Sequence, residues 1–140
     1  MFDFFKKDKD ETIKKTDTFI EIACLLIHAS KIDEIYTEEE KKIIKKTLIK
    51  LGSKDDEVEE IINKAETIES DSNQILNFTR NLKNVDQKTK IMIVESLWEI
   101  IYSDNKSDMY EANLMRRLTG LLYLNPKEVG DLKEKIKKTN

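Results

Sequence analysis

Glycine and proline are nearly missing, at three and one respectively in 140 residues. The two together average about 12% of ordinary chains. Sandwiches and barrels built from many tight turns are therefore excluded, and there is no material for a glycine-rich phosphate loop. Cysteine occurs once, at Cys24, and histidine once, at His28. An intramolecular disulfide, a multi-thiolate zinc site and a histidine-rich metal centre are all ruled out by those counts. Arginine is confined to Arg80, Arg116 and Arg117, and 25 basic residues against 28 acidic ones leave a net charge of −3. Such a chain has no global field to attract DNA or RNA, so no nucleic-acid partner is predicted. No run approaches the ~20 apolar residues of a membrane helix. The opening, Met1-Phe-Asp-Phe-Phe-Lys-Lys7, is too short and carries an acid inside its apolar stretch, unlike a signal peptide. A cytoplasmic, reducing location is expected.

What the chain does contain is helical patterning. A first helix is predicted from about Thr12 to Lys31, and its centre, Phe19 to Ile27, is apolar on nearly every face, which calls for burial on most sides. Thr37-Glu-Glu-Glu40 reads as a capping box. It opens a second helix carrying Ile43, Ile44, Thr47, Leu48 and Leu51, which stops at Gly52. A third helix, Asp55–Glu69, aligns Val58, Ile61, Ile62, Ala65 and Ile68; Ser72 caps a shorter fourth with Ile75, Leu76, Phe78 and Leu82. Asp86 caps the next, whose centre from Ile91 to Ile101 is again apolar nearly all round. Asp108-Met-Tyr-Glu111 has cap-box spacing and opens a helix with Leu114, Met115, Leu118, Leu121 and Leu122. Asn125-Pro126 is a cap followed by proline at the first helical position, starting the last helix.

The second half restates the first. A shift of 71 residues without gaps superposes Ile22 on Ile93, Leu26 on Leu97, Asp33 on Asp104 and Glu40 on Glu111. It continues through Lys45/Arg116, Lys46/Arg117, Leu51/Leu122, Glu57/Glu128 and Val58/Val129. Helical periodicity aligns some apolar pairs by chance, but not the Asp-to-Glu spacing, the basic pair and the following Glu-Val as well. We read an internal duplication of a helix–loop–helix–helix unit. The predicted fold is all-α: six to seven helices in a single domain over 1–140, with the two repeats related by a pseudo-two-fold axis. Its parts are an N-terminal extension (1–11), repeat 1 (12–70), a connector helix (71–85) and repeat 2 (86–140).

With these residues in view, the chain resembles the tellurite-resistance TerB-like domain family, in particular its small stand-alone bacterial members. Leu97-Trp-Glu-Ile-Ile-Tyr-Ser-Asp104, then Tyr110-Glu111 and Leu114-Met-Arg-Arg-Leu118, are similar to the family's Leu-Trp-Glu-x-x-x-Ala-Asp-Gly followed by acids and an arginine-bearing helix. The first copy, Leu25–Ile44, matches more weakly. The family's glycine is Asn105 here and Glu34 in the first copy, and Thr37 stands in the first copy where Asp108 stands in the second. The resemblance implies an all-helical domain connected with metal or oxyanion stress and with membrane-associated stress complexes, and it brings no catalytic activity with it.

The acidic segments are the constellation with chemistry in it. Asp33 and Glu40 in one, and Asp104, Asp108 and Glu111 in the other, supply the oxygen ligands that a hard divalent cation prefers. They lack the alternating pattern and glycine of a twelve-residue calcium loop, and helix capping explains the same residue types. His28 and Glu99 stand at equivalent positions and would suit either a hydrogen-bonded core-margin histidine or a metal or base site. Cys24 lies in an apolar segment, where cysteine behaves as a small hydrophobe. Trp98, Tyr102, Tyr110, Arg116 and Arg117 form a candidate surface for a protein partner, and the aromatics suit core packing as well. Phe2, Phe4, Phe5, Lys6 and Lys7 offer a weak membrane-surface contact, too short to anchor alone. The favoured function is a non-enzymatic binding module with no cofactor beyond a divalent cation. The alternatives are a metal-dependent hydrolase-like enzyme using the same carboxylates, and a structural or dimeric scaffold.

Overall fold

A computed structural model describes residues 17–31, 36–71, 79–80, 82–103 and 109–139, with side chains from 113 to 138 in the last stretch. The described residues form six α-helices and no strand. They are α1 (17–30), α2 (Glu38–Lys50), α3 (Asp55–Ser70), α4 (Gln87–Tyr102), α5 (Met109–Leu121) and α6 (Pro126–Thr139), with a 3-10 turn at Leu82–Asn84. The predicted connector helix falls mostly outside the described residues. Within it, Thr79 is helical and Leu82 is fully buried.

The ends of the helices follow from local chemistry. Thr37 closes the start of α2 with a full capping box: its hydroxyl accepts the Glu40 N–H at 3.1 Å, and the Glu40 carboxylate accepts the Thr37 N–H at 2.9 Å. Asp86 accepts the Thr89 N–H at 3.2 Å ahead of α4. Asn125 accepts the Lys127 N–H at 2.9 Å, and Pro126 takes the first position of α6, where its missing N–H costs nothing.

The two halves end their middle helices with the same turn. After α2, Gly52 sits at φ 116°, its N–H donates to Ile49 and the Ser53 N–H donates to Leu48. After α5, Tyr123 sits at φ 53°, its N–H donates to Gly120 and the Leu124 N–H donates to Thr119. This is the two-bond left-handed helix stop, set twice at an offset of 71 residues. At that offset α2 maps onto α5 end to end, and α3 and α6 begin at equivalent residues, Asp55 and Pro126. The repeat read from side chains is thus also present in the backbone.

The core is built around α1 and α4. Six consecutive residues of α1, Ile22 to Ile27, are at most 1% exposed, so its whole circumference is enclosed. On α4 the buried set is Lys90, Ile93, Val94, Ser96, Leu97, Trp98, Ile100 and Ile101. Burying one such aliphatic side chain is worth about 1.5–3 kcal/mol. Helix α2 packs on α3 and α4, while α6 packs on α4 and α5. One expectation is corrected on α3: Ile68 is 45% exposed, and Glu69 takes the inward position instead. The inward stripe of Val58, Ile61, Ile62 and Ala65 continues at i+11 onto residue 69, and Ile68 rotates outward.

One polar contact crosses between the halves inside this core. The Thr47 hydroxyl on α2 and the Ser96 hydroxyl on α4 lie 2.6 Å apart. Thr47 donates its own proton to the Ile43 carbonyl at 2.9 Å, so Ser96 is the donor to Thr47. The offset counterparts of this pair are Leu118 and Leu25, both fully buried.

Two outcomes follow. Thr47→Val leaves the Ser96 hydroxyl buried without its acceptor and should cost about 1–3 kcal/mol in denaturant unfolding. Adding Ser96→Ala should recover part of that loss, giving a double variant more stable than Thr47→Val alone. For Asp86, the bonds with Thr89 hold its carboxyl below the usual range. A carboxyl depressed on folding stabilises above its unfolded pKa and loses that contribution as acid titrates the folded form. Asp86→Ala should melt below the parent protein at neutral pH, and the gap should close in acid.

Candidate functional site

Of the five candidate cation ligands, Glu40 is the one whose side chain lies among the described residues. It is 3% exposed and bonded to Thr37 through both the backbone N–H and the hydroxyl, each at 2.9 Å. In this structure Glu40 is a helix cap. Asp33, Asp104 and Asp108 lie outside the described residues; Glu111 lies on the first turn of α5 with its side chain outside them. Among the described residues, no three His, Cys, Asp or Glu side chains are grouped closely enough to hold a metal ion. Phe2, Phe4, Phe5, Lys6 and Lys7 are likewise outside the described residues.

The polar groups of α1 converge on Glu69 of α3. Glu69 is 7% exposed; its Oε2 accepts from Lys31 Nζ at 2.6 Å, and its Oε1 lies 3.3 Å from His28 Nδ1. A buried carboxylate is tolerable when its oxygens are matched in this way. His28 is thereby a core-margin histidine held by a hydrogen bond. One turn earlier, the Cys24 thiol points at the Ala65 carbonyl at 3.5 Å. Burial, then the charges of Glu69 and Glu21, push that thiol up to about 12, so a thiolate nucleophile is suppressed. Glu69 was missed by the sequence reading. The available signal was its place on the apolar stripe of α3, opposite a helix that carries a histidine and a lysine three residues apart.

A second polar cluster borders the first acidic segment. Tyr36 donates to Glu66 Oε1 at 3.4 Å, and Lys41 Nζ reaches the same oxygen at 3.3 Å. Burial first, and then Glu66, hold the Tyr36 hydroxyl well above its ordinary range. Tyr36 and Glu66 gave no sequence signal, because their pairing spans 30 residues and depends on how α3 folds back.

The aromatic candidates separate. Trp98 is 6% exposed and its indole N–H donates to the Val129 carbonyl at 3.1 Å, while Lys133 Nζ lies 5.5 Å from its ring centroid. The Tyr102 ring stacks beside it at 6.1 Å. Trp98 thus ties α4 to the first turn of α6 and is spent on packing. Arg116 and Arg117 are exposed on α5, and the Tyr110 side chain is outside the described residues.

A family model described as Tellurite resistance protein TerB matches residues 19–134, from the enclosed part of α1 into α6. The chain belongs to the TerB family. No curated protein and no solved structure matches it. The all-α fold is the one expected of a TerB domain, and the match covers both copies of the duplicated unit. Within the TerB match, the tryptophan of Leu97-Trp-Glu is a packing residue whose indole closes onto α6. Among the described residues no helix is long and apolar enough to cross a membrane.

A direct outcome follows for Cys24. In the folded protein its thiol should resist alkylation by iodoacetamide at mildly alkaline pH, and one thiol should react once denaturant is added. Rapid native labelling would contradict the enclosed α1.

Proposed function

We propose that this TerB-family protein is a non-enzymatic binding module that takes a divalent cation on its two acidic connections, one before α2 and one before α5. The observation that supports this reading is the duplication of place. Because α2 and α5 share their limits at the 71-residue offset, Asp33 and Asp104 fall at the same distance before equivalent helices, and Glu40 and Glu111 at the same place in their first turns. With Glu40 given over to capping, the ligand set is Asp33, Asp104, Asp108 and Glu111. Carboxylate oxygens of this kind suit calcium, magnesium or manganese better than softer metals.

Binding rather than catalysis is supported by how the other reactive groups are used. Cys24 is held protonated against Ala65, and His28 is occupied by Glu69. A hydrolase-like reading would need that histidine turned toward substrate.

Calorimetry with calcium, magnesium, manganese and zinc tests the proposal. The parent protein should give saturable heat with a hard cation, and Asp104→Ala/Asp108→Ala should abolish it. Glu40→Ala should retain binding while losing about 1 kcal/mol of stability as the capping box is lost. Heat no greater than dilution, or binding that ignores the double variant, would remove the cation.

A further inference from the structure

The geometry points to a second ligand site, at the other end of α5. An open cavity of about 310 Å³ is lined by Thr79, Arg80, Lys83, Gly120, Leu121 and Tyr123. From the start of α5 to this end is roughly 18 Å at 1.5 Å per residue, so the cavity and the acidic connection before α5 are separate places. The inference is therefore independent of the cation proposal.

Tyr123 is the first argument. Its backbone is left-handed at φ 53°, where the turn demands it and where the equivalent residue of the other half is Gly52. A bulky side chain is strained in that conformation. Packing does not offset the strain, because Tyr123 is 73% exposed. The helix stop fixes the backbone of Tyr123, and its exposed ring at the cavity mouth is left open to a contact outside the fold.

Charge is the second. Two cations line this cavity in an acidic chain: Arg80 and Lys83. Neither is in an ion pair among the described residues. Guanidinium forks match phosphate oxygens two at a time, which lysine does not. Above Gly120 the space is open: a Cβ there would meet nothing within 4 Å.

We infer that this cavity binds a ligand of the mononucleotide class, a phosphate ester carrying a flat heteroaromatic ring. The phosphate lies on Arg80 and Lys83, and the ring stacks on Tyr123. The cavity is at the small end of the range that holds small molecules, which suits one nucleotide rather than a polymer.

Calorimetry on the full chain tests this with AMP, ribose 5-phosphate, adenosine and inorganic phosphate as separate probes. AMP should bind at least about tenfold more tightly than any of the other three, since each lacks the ring or the ester, and added salt should weaken it. Arg80→Gln and Tyr123→Gly should each reduce AMP affinity by at least about tenfold, while Asp104→Ala/Asp108→Ala leaves it unchanged. Tyr123→Gly should also raise Tm, because glycine relaxes the left-handed turn. That rise separates a lost ligand contact from a damaged fold. No heat with AMP, affinity unchanged in both cavity variants, inorganic phosphate binding as tightly as AMP (an adventitious anion only), or a fall in Tm for Tyr123→Gly would each overturn the inference.

Discussion

A helix that is apolar around its circumference cannot face water on any side, and the rest of the molecule answers that demand. In α1 the sequence Ile22 to Ile27 offers no polar face, so neighbours must surround it. The other helices are amphipathic, with a narrow inward stripe and a charged exterior. A charged fraction of 38% keeps that outer layer in solvent while its stripes cover the core. A chain so poor in glycine and proline can do this because helices need few special backbone conformations.

The fold was legible because its signals are local. Thr37, Asp86 and Asn125 cap the helices they were expected to cap, and the left-handed stop at Gly52 is where a glycine after an apolar stripe places it. The stripe on α3 was misjudged at its last turn, since Ile68 and Glu69 differ by one position and hydrophobicity favours the wrong one. The register of the stripe, with His28 and Lys31 facing it, decides for Glu69. Tyr123 was equally opaque. Its left-handed backbone follows from the duplication, with Gly52 as its counterpart, and no propensity rule assigns tyrosine to such a turn.

The candidate site was less legible for a physical reason. Carboxylates at helix starts serve capping and cation binding with the same atoms, so residue type and spacing cannot separate the two. Glu40 shows the capping use directly. Aromatic residues carry the same ambiguity: Trp98, which suits either a partner surface or a core, is committed to α6 through its indole N–H. Family membership narrows the fold without choosing among ligands, and so function rests on which groups remain unspent after packing is satisfied.

The hydroxyl pair joining Thr47 to Ser96 bears on how a doubled protein avoids mistaking one half for the other. If two copies of the first half mated across the same contact, Thr47 would meet Leu25; two copies of the second would set Ser96 against Leu118. The second mispairing strands the Ser96 hydroxyl in hydrocarbon, while in the first Thr47 loses its donor and keeps only its own bond to Ile43. The observed union sets hydroxyl against hydroxyl. A single asymmetric pair therefore works as a key, discouraging exchange of halves between neighbouring molecules and favouring closure of each chain upon itself.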